Sequence, residues 1–147
     1  MNQPRGHMLR KGRFSEEGRI YLVTTVTAQR QPFFTEFSKA RAMVRILHAY
    51  SKPAQTLAYV LMPDHLHWLM QLGTESSLSR TVGAIKSVSA HTIPSLRWQT
   101  GFHDHAVRKE EDLRELARYI VLNPVRAGLV NKVSDYPHWD AIWLGAS

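Results

Sequence analysis

Residues 57–72 read LAYVLMPDHLHWLMQL and predict a β-hairpin in the middle of the chain. The runs 57–62 and 65–72 are apolar and have the length of ordinary strands, and Pro63-Asp64 between them favours a tight turn. Successive side chains of a strand point to opposite faces. One face of the second strand is therefore expected to meet a core, through Leu66, Trp68, Met70 and Leu72. The other face carries His65, His67, Leu69 and Gln71.

The patterns on either side of the hairpin predict an α+β domain. Residues 20–27 (IYLVTTVT) are rich in β-branched residues and predict a strand, and the alternating segment 101–107 predicts another. Helical spacing of apolar residues predicts three helices, over 36–50, 77–93 and 111–123, with a short turn or helix at 124–129. The order β-α-β-β-α-β-α indicates a ferredoxin-like split β-α-β antiparallel sheet, with an added C-terminal helix carrying Tyr119.

Length and charge set the broad class. The chain has 147 residues, and we predict a single domain over 1–147 in which 1–19 form a flexible basic arm. A net charge of +7 and a pI near 10.1 favour a polyanionic partner, most commonly nucleic acid. The lack of cysteine excludes disulfides and thiolate zinc sites and suits the cytoplasm. No apolar run approaches the roughly 20 residues of a membrane helix, and no secretory signal is visible.

Two histidines on one face of the predicted strand 65–72 form a candidate metal site. His65 and His67 stand about 6 to 7 Å apart at their roots, so both imidazoles can reach one ion. Such a pair suits many divalent metals and leaves coordination positions open for phosphate oxygens. His-X-His also arises by chance, and His103-Asp104-His105 repeats the spacing. That second pair is a competing site, a supplement to the first, or two strand residues without a shared role.

The predicted helix 111–123 places polar side chains on one flank. Asn123 lies one turn after Tyr119, and Arg126 continues the line if the helix persists. The amide oxygen can bind a hard divalent ion, and the guanidinium can hold a phosphate. Each residue has a structural alternative. Tyr119 packs its ring, Asn123 caps a short helix beginning at Pro124, and Arg126 serves the helix C-terminus.

Longer motifs resemble those of the REP-associated tyrosine transposase family, a branch of the HUH single-tyrosine transposases. They are GRIYLVT (18–24), MPDHLH (62–67), WQTGFHDH (98–105), RYIVLNPVRAGLV (118–130) and YPHWD (136–140). Together they span nearly the whole chain, and the last two are far more specific than His-X-His.

The resemblance implies a metal-dependent bacterial enzyme that cuts single-stranded DNA. It implies that His65, His67 and Asn123 bind Mg²⁺ or Mn²⁺ and that Tyr119 attacks the scissile phosphate, leaving a 5′-phosphotyrosine and a free 3′-hydroxyl. The implied partner is a hairpin of a repeated extragenic palindrome with its short flank, bound in the cytoplasm at the nucleoid by a monomer or homodimer. The alternatives are a hairpin-binding module with vestigial cleavage and a phosphodiesterase that activates water.

Further residues are candidates for contact with DNA or for supporting roles. Basic residues of the arm are expected to follow the flanking single strand: Arg10, Lys11, Arg13 and Arg19. Lys86 and Arg126 are further candidates for DNA contact. His103 and His105 are candidates to orient the leaving oxygen or accept a proton, and the alternative is that backbone groups simply satisfy them.

Overall fold

The computed structural model describes residues 19–50, 54–73, 76–108 and 112–142. Five strands and four α-helices lie within these ranges. In chain order they are β1 (Ile20–Val26), α1 (Phe37–Ala49), β2 (Ala54–Met62), β3 (His65–Leu72), α2 (Leu78–Thr92), β4 (His103–Ala106), α3 (Leu113–Val121), α4 (Asn123–Arg126) and β5 (Trp139–Ala141). Most of the predicted basic arm, with Arg10, Lys11 and Arg13, lies outside the described residues, and the single domain over 1–147 stays a prediction.

The strands form one antiparallel sheet in the order β4-β1-β3-β2-β5. The α+β class and the antiparallel sheet are confirmed, and the bounds of β3 agree with the prediction. Strand β3 lies at the centre, where His65 pairs with Val26 and Met62, and His67 pairs with Thr24 and Val60. Strand β5 was not predicted, so the sheet has five strands rather than four.

One face of the sheet is buried under α1 and α2. The four side chains predicted to meet a core do so, and each is about 1% exposed or less: Leu66, Trp68, Met70 and Leu72. Trp68 is the largest of the fully buried side chains, and its indole nitrogen donates to Thr56 Oγ1 at 2.8 Å. A buried indole with its polar nitrogen satisfied contributes packing area without leaving an unpaired donor in the core.

The opposite face of the sheet is covered by α3. Ala117, Ile120 and Val121 of this helix pack in one cluster with Leu69 of β3. The helix begins two residues later than predicted because the Asp112 carboxylate accepts from the Arg114 N–H at 2.9 Å and caps it. Helix α3 therefore docks on the sheet face to which His65 and His67 belong. Among the described residues, no helix has both the length and the apolar character needed to cross a membrane.

Candidate functional site

His65 and His67 lie side by side, with ring centroids 4.7 Å apart and ring planes at 78°. The Nδ1 of His65 lies 2.7 Å from Asp64 Oδ1, and the Nδ1 of His67 lies 2.9 Å from Thr24 Oγ1. An ionised carboxylate can only accept, so the Nδ1 of His65 carries the proton and its Nε2 keeps a lone pair for a ligand. When His67 donates from Nδ1 to Thr24 Oγ1, its Nε2 likewise keeps a lone pair for a ligand. Hydrogen bonds of this kind orient the histidine ligands of metal sites.

The charge states of this group suit metal binding. Burial, followed by electrostatic interactions with His65 and Arg126, lowers the pKa of His67 to about 4, so the ring is neutral at pH 7 and able to act as a ligand. Burial alone would raise the pKa of Asp64, but its hydrogen bond and electrostatic interaction with His65 and the charge of Arg30 bring it below its ordinary value. Asp64 is therefore an anion beside the pair.

The Pro63-Asp64 turn is fastened to the loop that follows β1. The backbone N–H of Thr27 donates to the Asp64 carbonyl oxygen at 2.9 Å. The Thr27 hydroxyl lies 3.1 Å from the same oxygen and 2.7 Å from the Gln31 carbonyl oxygen, so these two acceptors share its one proton. Arg30 Nε lies 3.1 Å from Asp64 Oδ2. From the sequence, Asp64 is predicted only as part of the turn, and Thr24 and Arg30 are not predicted to contact this group. The one local signal available was an acidic residue directly before His65.

Tyr119, Asn123 and Arg126 meet at the C-terminal end of α3. The guanidinium carbon of Arg126 lies 4.0 Å from the centroid of the Tyr119 ring. The same guanidinium donates to the Tyr119 carbonyl oxygen at 2.5 Å and to Asn123 Oδ1 at 2.8 Å. The Tyr119 side chain is 59% exposed, so the alternative in which it packs its ring in the core is wrong. The predicted convergence of the three side chains is confirmed.

Asn123 does not cap a helix that starts at Pro124. Helix α4 begins at Asn123 itself, Leu122 precedes it, and no side chain caps this end. The Asn123 carboxamide oxygen instead accepts from Arg126. Arg126 does donate to a carbonyl oxygen near the C-terminus of α3, that of Tyr119. This agrees with the alternative in which Arg126 serves the helix C-terminus. Its guanidinium is thus shared between the helix end and the two polar residues.

The histidine pair and the tyrosine helix are electrostatically connected. The charge of Arg126 is the smallest of the three contributions that lower the pKa of His67. Within the described ranges, no group of three or more His, Cys, Asp or Glu is arranged to hold a metal. A third protein ligand beside His65 and His67 would be of another type, and the Asn123 amide oxygen offers one.

The second histidine pair lies on the same face as the first. His103 pairs with Thr24 and His105 pairs with Leu22 across β1 and β4, and Thr24 in turn pairs with His67. Two strand spacings separate β4 from β3, about 10 Å of backbone. His103 and His105 are exposed at the sheet edge, so they flank the His65–His67 pair, and a role for them stays a prediction.

Two further candidate DNA contacts, Lys86 and Arg19, lie within the described residues. Lys86 donates from its ammonium to the carbonyl oxygens of Gln99 and Gly101, at 2.7 and 2.6 Å, and burial lowers its pKa. It holds the loop before β4. Arg19 precedes β1, about 20 Å along the strand from the residue paired with His65. DNA contact by Lys86 and Arg19 stays a prediction.

Comparison with known proteins points to one family. The family described as "Transposase IS200 like" matches residues 17–122. The REP-associated tyrosine transposase of Escherichia coli (strain K12) is 36% identical over 89 residues, which are 58% of this chain and 53% of that protein. The chain therefore spans about half the length of this relative. A Haemophilus influenzae protein provisionally given the same name is 27% identical over 139 residues, which are 83% of this chain and 79% of that protein.

A solved structure also resembles the fold. It is that of a REP-associated tyrosine transposase bound to a REP hairpin, with a TM-score of 0.69 and 26% sequence identity. The match covers 95% of this chain and 82% of that chain.

Proposed function

The chain belongs to the IS200-like transposase family, and we propose that it cuts single-stranded DNA with Tyr119 as the nucleophile. The proposed substrate is a repeated extragenic palindrome, a hairpin with a single-stranded flank. One observation carries the proposal: Tyr119, Asn123 and Arg126 meet at the end of a helix that docks on the sheet face of His65 and His67. Family membership makes the chain a DNA-processing enzyme, and this convergence supports the particular chemistry.

The histidine pair fits a divalent cation. Both imidazoles have their Nδ1 engaged, by Asp64 and Thr24, and His67 is neutral at pH 7. We assign His65, His67 and the Asn123 carboxamide oxygen as its ligands. A bound Mg²⁺ or Mn²⁺ would neutralise charge on the oxygens of the scissile phosphate. Asp64 would fix the orientation of the His65 ring.

Tyr119 supplies the attacking oxygen. Its Oη loses a proton to solvent, the Oη–P bond forms, and the P–O3′ bond breaks. The leaving O3′ takes up a proton from solvent and becomes the 3′-hydroxyl. The product is a 5′-phosphotyrosine. Because the bond energy is kept in that ester, attack by a 3′-hydroxyl reverses the step and rejoins strands. The exposure of the ring leaves room for a DNA strand beside it.

Arg126 positions the nucleophile and the amide ligand. Its guanidinium stacks on the Tyr119 ring and donates to Asn123 Oδ1, so one side chain sets the distance between the two groups. The carboxamide oxygen has two lone pairs, and a single donated hydrogen bond leaves one of them for a cation. This is a positioning role, distinct from the phosphate contact that the sequence suggested for Arg126.

The experiment is covalent capture. Purified protein is mixed with labelled single-stranded DNA that carries a palindromic hairpin and its flank, with Mg²⁺ or Mn²⁺. We expect an SDS-resistant protein–DNA adduct that is lost in Tyr119→Phe and retained in the matched control Tyr50→Phe. Binding without an adduct across several hairpins would favour a binding module with vestigial cleavage. Cleavage that survives in Tyr119→Phe would point to an activated water and reject the assignment of the nucleophile.

A further inference from the structure

A small cavity lies where the loop after β1 meets the loop between α2 and β4. The two loops are paired: Thr27 forms a β-bridge with Trp98, the Ala28 N–H donates to the Arg97 carbonyl oxygen, and the Gln99 N–H donates to the Val26 carbonyl oxygen. Six of the side chains around the cavity matter for its chemistry: Thr27, Gln29, Gln31, Phe33, Ser95 and Arg97. None of them is assigned to the proposed cleavage machinery.

The backbone around this cavity is strained. Three non-glycine residues in the described ranges have positive φ, and all three lie here: Gln29 at 57°, Arg30 at 51° and Ser95 at 72°. Gln29 and Ser95 line the cavity, and Arg30 stands between two lining residues. Residues other than glycine rarely adopt this backbone conformation. Those that are held in it concentrate at ligand-binding and catalytic sites. The strain thus coincides with the cavity on two separate segments of the chain.

The lining combines an aromatic ring with hydrogen-bonding groups. Gln29 and Gln31 carry carboxamides that both donate and accept, and Arg97 carries a planar donor group. Phe33 is fixed by an edge contact with Phe34, at 5.2 Å between centroids, and by the Lys39 ammonium 4.6 Å from its ring centroid. Proteins recognise unpaired bases by stacking them on aromatic or arginine side chains and by hydrogen-bonding their edges.

The size of the cavity suits one base. Its volume is about 190 Å³, below the roughly 300–1,000 Å³ of pockets that enclose drug-sized ligands. It is also several times the roughly 30 Å³ that one water molecule occupies in the liquid. A phosphate alone would use Arg97 but would leave the Phe33 ring and the two carboxamides without a function.

The cavity is joined to the candidate cleavage site through Asp64. The backbone N–H of Thr27, in the cavity wall, donates to the Asp64 carbonyl oxygen, and Arg30 pairs with the Asp64 carboxylate. That carboxylate holds His65. We propose that the cavity binds one unpaired nucleobase of the DNA strand, near the phosphate that is cut. This inference rests on the proposed function, because it names a second point of contact for the same substrate.

The test couples a change in the protein to a change in one nucleotide. Binding of the hairpin substrate is measured without metal, using variants Gln31→Ala and Arg97→Ala, and using DNA in which each flanking nucleotide in turn is made abasic. We expect one abasic position to weaken wild-type binding by roughly five- to a hundredfold. Each variant should show a comparable loss on intact DNA and no further loss at that position. The control is Arg80→Ala, which removes an exposed cation on α2 that does not line the cavity.

Several outcomes would overturn the inference. Equal weakening by Arg97→Ala and Arg80→Ala on every substrate would indicate a general charge effect. If the losses of affinity from each variant and from each abasic nucleotide simply add at every position, no base of the flank binds in the cavity. A protein that does not bind the hairpin DNA at all would also contradict the inference. Adduct formation by Tyr119 is scored separately. Coupling without an adduct would support base binding in the cavity and reject cleavage by Tyr119. An adduct without coupling would support cleavage by Tyr119 and reject base binding in the cavity.

Discussion

Replacing Arg126 by alanine tests how the candidate nucleophile is held. The guanidinium makes three contacts, with the Tyr119 ring, the Tyr119 carbonyl oxygen and Asn123 Oδ1. Because it is exposed, each contact counts at the low end of its range, about 0.5–1 kcal/mol for the cation–π contact and about the same for a hydrogen bond. The contact with the ring and the hydrogen bond to Asn123 together stabilise the arrangement of Tyr119 and Asn123 by about 1–2 kcal/mol, and the alanine variant loses this. We expect adduct formation to slow by about five- to thirtyfold.

The assay separates positioning from binding. Single-turnover adduct formation is measured at saturating DNA and metal, the dissociation constant of the DNA is measured separately, and thermal unfolding checks that Arg126→Ala stays folded. Arg126→Lys keeps the charge but lacks the planar fork, so it should not restore the rate. If Arg126 only held a phosphate, the dissociation constant would rise, its salt slope would fall by about 1, and the saturated rate would be unchanged. That pattern would refute the positioning role.

Two further predictions concern the histidine pair. Asp64→Ala should weaken Mn²⁺ binding by about 10- to 100-fold, because it frees the His65 ring to rotate. Calorimetric titration without DNA measures this, Asp64→Asn should retain part of the affinity, and an unchanged affinity in the alanine variant would contradict the role. In the folded protein the pKa of His67 is lowered from its ordinary value of 6.5 to about 4, so the unfolded chain takes up the proton first. The free energy of unfolding should therefore fall as pH drops from 6.5 to 4, and urea unfolding should show a flatter dependence for His67→Gln.

Local patterns predicted the parts of the fold that depend on neighbouring residues. The alternation in 65–72 located β3 to the residue and assigned its two faces, because side-chain direction in a strand has a strict period of two. The spacing from Tyr119 to Asn123 and Arg126 predicted their meeting, because residues three and four apart are neighbours on a helix. The strong hydrophobic patterns of the three longer helices located them within about two residues.

Contacts between distant segments could not be predicted. Thr24 reaches His67 only through the register of β1 on β3, which no local pattern encodes. Strand β5 has three residues and follows a proline, so it carries no alternation of its own. The positive φ of Gln29, Arg30 and Ser95 also lacks a signal, because none of these residue types marks a left-handed turn as glycine or asparagine does.

The short strand β5 has a consequence for the solubility of the protein. Without it, the nine-residue strand β2 would present an open, largely apolar edge, and such edges recruit strands from other molecules. The segment around β5 occupies that edge through its pairing with Ala58–Val60, through the Leu61 N–H that donates to the His138 carbonyl oxygen, and through the Tyr136 hydroxyl that donates to the Leu61 carbonyl oxygen. Polypeptides shortened before Tyr136 would keep every candidate catalytic group and yet be prone to aggregate, so loss of activity on shortening would have to be separated from loss of monodisperse protein.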